Sequence, residues 1–272
     1  MFEAIAKFRQ SLSDGQVLIG AGVYVVDPQS SDALSDSVDF LWYDQEHSTM
    51  SLEALRGHII VARNRGKPAI VRISELGRPF IKPVLDSGAD GIVVPQVKTA
   101  DEVKALVEDC RYPPLGKRGL GPTIPTNYWR YDDEEFFLQS NTNIFASIMI
   151  ETVEAVENID EILAVPGLDS IVIGPSDLAA SLGVMGDINH PKVEDAMNEV
   201  IPKAKDAGVF VGAGMGPDAD WAGVLVSRGV QWLQLSGDLG YMLYGVDSLT
   251  SKIKTNLRND IAHNRLPKSI ER

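Results

Sequence analysis

Short apolar runs alternate with stretches of helical periodicity along almost the whole chain. Runs rich in Val, Ile and Phe occur at 17–22, 40–44, 69–73, 91–95, 144–150, 170–173, 209–212 and 232–235. They lack the apolar–polar alternation of a half-exposed strand, which predicts parallel strands covered on both faces. Between them, 52–63, 79–87, 101–109, 193–207 and 218–228 carry apolar residues at the spacing of an amphipathic helix. Eight strand–helix units in one chain predict an α/β fold of the (β/α)8 TIM-barrel type, with a doubly wound open sheet as the alternative. The barrel is expected to fill residues 1–258 as a single domain, with 259–272 as a polar tail.

Turn chemistry orients the barrel. Ser87-Gly88-Ala89-Asp90-Gly91, Pro166-Gly167-Leu168-Asp169-Ser170 and Ser227-Arg228-Gly229-Val230-Gln231 each lead from a helix into a strand, with glycine closing the helix. Such turns belong to the bottom face, so the residues that follow each strand belong to the top face, where this fold carries its chemistry. The longest loop, 112–131, follows the fourth strand and is expected to be functional, with Lys117 and Arg118 as a basic pair on the top face.

Composition narrows the partners. A net charge of −13 over 272 residues argues against nucleic acid and against an anionic membrane. No apolar run approaches the roughly 20 residues of a membrane helix. The N-terminal stretch mixes acid and base in an amphipathic helix and has no secretory apolar core, so a cytoplasmic location is expected. The one cysteine, Cys110, excludes an intrachain disulfide and reads as a reduced structural thiol.

The strand ends hold the candidate chemistry. Phe145-Ala146-Ser147-Ile148-Met149-Ile150 stops at Glu151, and Asp169-Ser170-Ile171-Val172-Ile173 runs into Gly174-Pro175-Ser176-Asp177. Two carboxylates on neighbouring strands can share one hard cation such as Mg²⁺ or Mn²⁺. Rim salt bridges or a helix cap by Asp177 are the plainer alternative. Strand two ends in Asp44-Gln45-Glu46-His47, where Asp44 is near enough to orient the His47 imidazole as an acid–base dyad. Glu46 is a third possible ligand, better read as an acceptor behind the ligands. Arg72, inside an apolar strand, needs a buried partner among Asp44, Glu46 and Glu151, and is also placed to stabilise a developing oxyanion. Gly174-Pro175-Ser176-Asp177 opens a helix whose first N–H groups can take a carboxylate. Gln96 ends strand four. Lys98 is the one lysine placed for Schiff-base chemistry, and is expected instead in the first turn of the next helix. His58, His190 and His263 read as plain surface groups.

Taken in order, Asp44-x-Glu46-His47, Arg72, Tyr112-Pro113-Pro114-x-Gly116-x-Arg118-Gly119, Ile150-Glu151-Thr152 and Gly174-Pro175-x-Asp177-Leu178 resemble the HpcH/HpaI aldolase family, metal-dependent class II pyruvate aldolases. The resemblance covers roughly residues 20–243. It implies a (β/α)8 barrel that cleaves 4-hydroxy-2-oxo acids reversibly to pyruvate, or hydroxypyruvate, and an aldehyde. It implies that Glu151 and Asp177 hold Mg²⁺, Mn²⁺ or Co²⁺, and that the Ser176 and Asp177 N–H groups hold the substrate carboxylate. Arg72 would stabilise the enolate, His47 with Asp44 would move the proton, and trimers or hexamers would form through the last helix. The chain departs from the family pattern at Met149, where Gln is common, at Gln96, where Met is common, and at Trp42 and Ala179. Gln96 is expected to supply from the next strand the amide that Met149 lacks. The alternatives are a citrate-lyase-β-like acyl-CoA lyase or oxaloacetate decarboxylase on the same scaffold, and a non-catalytic barrel.

Overall fold

Eight parallel strands close into one barrel in chain order in the computed structural model, which describes residues 2–131 and 133–262. The strands are β1 (Leu18–Val23), β2 (Phe40–Asp44), β3 (Ala69–Arg72), β4 (Gly91–Val94), β5 (Phe145–Ile150), β6 (Ser170–Ile173), β7 (Phe210–Met215) and β8 (Trp232–Gly237). Helix α1 (Glu3–Ser13) precedes β1 and α2 (Gln29–Ser35) follows it; α3 (Leu52–Asn64) and α4 (Arg78–Asp86) follow β2 and β3. Two helices, α5 (Ala100–Cys110) and α6 (Asp133–Asn143), separate β4 from β5; α7 (Val153–Glu157) and α8 (Ile159–Leu163) separate β5 from β6. Next come α9 (Pro175–Ser181) and α10 (Pro191–Asp206) before β7, α11 (Ala219–Arg228) before β8, and α12 (Asp238–Ala262) after it. The expected barrel is therefore found, with β1, β7 and β8 ending further along the chain than predicted. Helix α12 stays regular to Ala262, inside the segment expected as a tail; the rest of that segment, His263 included, lies outside the described residues.

Each strand splits its side chains between two cores. On β5, Phe145 and Met149 face the barrel interior, whereas Ala146, Ile148 and Ile150 join the larger core under the outer helices. Phe40 and Trp42 of β2 and Ile70 of β3 are interior, and Leu41, Tyr43 and Val71 are outside. Because side chains alternate along a strand, the next interior positions upward are Asp44, Arg72 and Glu151. The same alternation that packs the barrel aims these three at its mouth.

Helix α1 plugs the other end. Phe8 makes edge-on ring contacts with Phe40 at 5.4 Å and Phe145 at 5.5 Å, and Ile5 and Leu12 are buried beside it. A repeated clamp fixes strand register there. The residue before each even strand accepts the backbone N–H at the start of the preceding odd strand: Ile19 to Asp39 (2.9 Å), Ala69 to Asp90 (2.9 Å), Ala146 to Asp169 (2.7 Å) and Val211 to Gln231 (3.1 Å). Burial pushes the Asp90 carboxyl up to about 7, against the Ala69 N–H that favours its charged form. Asp169 instead meets Arg9 of α1 at 2.5 Å, which ties the plug to the barrel.

Two expectations are corrected here. The long loop 112–131 joins α5 to α6, so it lies at the bottom, not on the top face. A segment that follows a helix and leads back to a strand is at the end opposite the strand C-termini. Arg118 turns inward from this loop, pairs with Asp86 at 2.8 Å and stacks over Tyr112, while Lys117 pairs with Glu108. His58 is not a surface group: it is fully buried, with Nδ1 2.8 Å from Ser31 Oγ and its ring 5.4 Å from Tyr43. Its cover is α2, a short helix of weak apolar pattern that periodicity does not predict. His190 caps α10, accepting the Lys192 N–H at 3.2 Å. Cys110 is buried, and burial pushes its thiol up to about 12. Among the described residues no helix is long and apolar enough to cross a membrane.

Candidate active site

A cavity of about 540 Å³ opens at the C-terminal mouth of the barrel, lined among others by Tyr24, His47, Arg72, Met149, Ser176 and Asp177. On its β2–β3 side, Asp44 is wholly buried and fully used. Its Oδ1 accepts the backbone N–H groups of Glu46 (2.9 Å) and His47 (3.2 Å), an Asx-type turn that bends the chain out of β2. Arg72 donates to both Asp44 oxygens, through Nε at 3.1 Å and through Nη2. Nη1 of Arg72 lies 3.0 Å from Glu46 Oε2 and 3.7 Å from Met149 Sδ, and the guanidinium sits 5.7 Å from the Trp42 ring. Burial works against the charged guanidinium, but Asp44 and Glu46 more than offset it and raise the Arg72 pKa. Desolvation is thus compensated by paired, hydrogen-bonded carboxylates.

The expected Asp44–His47 dyad is not what forms. The His47 imidazole is 61% exposed and its Nε2 is 3.6 Å from Glu46 Oε2, while Asp44 is committed to Arg72 and the turn. Glu46 therefore joins arginine and histidine, and its pKa is raised by burial, with Arg72 and His47 opposing.

On the β4–β6 side, Glu151 is 2% exposed. Its Oε1 accepts both the Gln96 backbone N–H (2.6 Å) and the Gln96 side-chain amide (3.0 Å). Gln96 reaches one oxygen twice because its backbone is left-handed, φ 56°, a strained conformation for a residue with a side chain. The Gln96 amide, just past the strand next to that of Met149, is thus spent on Glu151. Gly174 leaves room for the other oxygen: a Cβ there would sit 2.9 Å from Glu151 Oε2. Asp177 lies exposed on the first turn of α9, where the N–H groups of Ser176 and Asp177 have no acceptor within the helix.

Burial, with Asp177 and Glu46 adding, pushes the Glu151 carboxyl up to about 7 despite the Gln96 backbone N–H and Arg72. The mouth thus carries more negative charge than Arg72 alone balances. Hard oxygen donors, a local negative excess and the space left at Gly174 fit a divalent cation held by Glu151 and Asp177. Among the described residues no group of three or more His, Cys, Asp or Glu is gathered for a metal. Lys98 is not at the mouth; its Nζ is 3.8 Å from Glu154 on the outer layer.

The mouth also includes residues that sequence reasoning passed over: Tyr24, Gln234, Ser236 and Leu239, together with Met215 of a glycine-rich stretch that reads as close backbone packing. They come from the ends of β1, β7 and β8. The residues after the expected strand ends include all of these but Gln234, which lies within β8.

Fold and mouth together define an enzyme of the (β/α)8 class with its polar groups at the strand ends. Residues 30–243 match the model of the HpcH/HpaI aldolase/citrate lyase family, and the chain belongs to that family and is a carbon–carbon lyase. A hydroxypyruvate/pyruvate aldolase of Roseovarius nubinhibens is 32% identical over 84% of this chain and 92% of the relative. A 4-hydroxy-2-oxovalerate aldolase of Rhodococcus jostii is 30% identical over 93% of this chain and 97% of the relative. The crystal structure of an HpcH/HpaI aldolase from Desulfitobacterium hafniense superposes with a TM-score of 0.85 at 34% identity, covering 90% of this chain and 95% of that one.

Proposed function

We propose that this protein is a divalent-metal-dependent aldolase that reversibly cleaves 4-hydroxy-2-oxo acids to pyruvate, or hydroxypyruvate, and an aldehyde. The observation that carries the reading is that Arg72 and Asp177 line one mouth and that Glu151, buried beside it, feels the charge of both, supported by the aldolase relatives. A cation bound by Glu151 and Asp177 would supply Lewis-acid polarisation of the 2-oxo group. The Ser176 and Asp177 N–H groups hold the substrate carboxylate. In cleavage, His47 takes the proton of the C4 hydroxyl, the C3–C4 bond breaks, and its electron pair moves to the C2 oxygen. Arg72 stabilises that oxygen as it becomes an enolate, and the pairing with Asp44 and Glu46 holds the guanidinium in place. Glu46 in turn stabilises the imidazolium that His47 becomes. Protonation of C3 releases pyruvate.

The test is exchange of pyruvate methyl protons with D2O, followed by NMR. Exchange is expected with Mn²⁺, Mg²⁺ or Co²⁺, to stop with EDTA, and to return when metal is restored. Exchange that survives EDTA, with a borohydride-trapped adduct on Lys98, would replace this mechanism with a Schiff-base one.

The reading extends to assembly as a homo-oligomer of three or six copies. Its support is α12, which exposes Met242, Leu243, Val246, Leu249 and Ile253, more contiguous apolar surface than a helix keeps in water without a partner. Sedimentation equilibrium is expected to give three or six chains per particle; a monomer at micromolar concentration would overturn it.

A further inference from the structure

The mouth has two unlike halves. Carboxylates, Arg72 and the start of α9 occupy one. The other is made by the ends of β7, β8 and β1, with Gly214, Gly216, Gln234, Ser236, Leu239 and Tyr24 on its wall. Gln234 Nε2 donates to the Ser236 carbonyl, whereas the Tyr24 hydroxyl, like Ser236 Oγ and Gln234 Oε1, has no hydrogen-bond partner among the described residues.

Tyr24 is nonetheless held firmly. Its backbone N–H donates to both oxygens of Asp238, at 3.1 and 3.2 Å, and the Val25 N–H donates to the same carboxylate at 3.0 Å. This joins the end of β1 to the start of α12. The ring lies on two glycines: a Cβ at Gly22 would be 2.9 Å from Tyr24 Cε2, and one at Gly237 would be 2.8 Å from Cδ2. An aromatic ring anchored at its backbone and bedded on bare main chain presents its hydroxyl at a fixed place. Burial raises its pKa, Asp44 adds to this and Arg72 opposes it, so the hydroxyl stays protonated and acts as a donor.

We infer that the Tyr24 hydroxyl donates a hydrogen bond to the carbonyl oxygen of the aldehyde, and that the β7–β8–β1 wall is the subsite for a short, uncharged aldehyde. The inference rests on the aldolase reading above. In condensation the enolate carbon bonds to the aldehyde carbon, the carbonyl π pair moves to oxygen, and that oxygen takes a proton from His47. Until it does, it carries negative charge, and a preorganised donor is worth most there. Glycines at 214 and 216 and Leu239 leave room for a small group and offer no cation for an anionic tail.

The experiment compares wild type with Tyr24→Phe, both loaded with Mn²⁺. Two rates are measured on each: pyruvate proton exchange in D2O without aldehyde, and condensation of pyruvate with acetaldehyde, which has no other polar group to bind. The ratio of condensation to exchange is expected to fall about tenfold or more in Tyr24→Phe, as for loss of a hydrogen bond to a charged oxygen. An unchanged ratio, whether both rates hold or both fall together, overturns the assignment. Wild type that exchanges no pyruvate protons overturns the aldolase reading, and the Tyr24 assignment with it.

Discussion

Arg72→Ala is expected to slow pyruvate proton exchange by about 10²- to 10³-fold, the usual effect of removing one oxyanion donor. The same change is expected to destabilise the fold, because it leaves the wholly buried Asp44 without its bidentate partner. Breaking a buried pair from one side costs about 3–5 kcal/mol. The two effects can be separated. Adding Asp44→Asn to Arg72→Ala removes the stranded charge, so thermal stability should recover in part while exchange stays lost. If Arg72→Ala exchanges pyruvate at the wild-type rate, the guanidinium is only a structural cation and the proposed mechanism fails.

Gly212→Ala should produce the largest purely structural effect. A Cβ at 212 would lie 2.6–2.7 Å from atoms of the Trp232 ring. That ring cannot step aside easily. It packs against Phe40 at 5.5 Å, Phe145 at 6.1 Å and Phe8 at 6.2 Å, and its Nε1 donates to Ser170 Oγ at 3.0 Å. Overpacking of this kind costs about 3 kcal/mol, a fall in melting temperature of about 6–12 °C for a chain of this size. A differential-scanning melt within a degree or two of wild type would mean that the aromatic plug is looser than its packing indicates.

The barrel was legible because buried parallel strands leave unmistakable apolar runs. Glu151 and Asp177 stood out because a carboxylate is out of place where such a run ends. Arg72 stood out for the same reason from inside one. The partner of His47 was not legible, because three residues of turn can bring either Asp44 or Glu46 to an imidazole. Only the Asx-type hydrogen bonds decide it. The side of the barrel that holds 112–131 was legible in principle, since the helix before it had been read; the loop's length drew attention from its position. His58 could not be placed without α2, whose seven residues show too little periodicity. α6 escaped for a related reason: Phe136, Phe137 and Leu138 are consecutive and not spaced for one face. Tyr24 was missed although it lies only two residues past the expected end of β1, because an aromatic residue after a strand does not stand out as a carboxylate does.

The four clamps at the base group the strands in twos: β1 with β2, β3 with β4, β5 with β6, β7 with β8. Glu151 ends β5 and Asp177 follows β6, so both proposed cation ligands belong to the unit closed by Asp169. Arg72 and Gln96 come from a second unit, and the wall below Tyr24 is shared by two others. The cation pair is then a local property of one short stretch of chain. Its spacing does not depend on how the barrel closes between β8 and β1. If the far wall is the aldehyde subsite proposed above, substitutions there shift which aldehyde is accepted while the carboxylate pair stays as it was, a division of labour that lets one lineage try many substrates without rebuilding its chemistry.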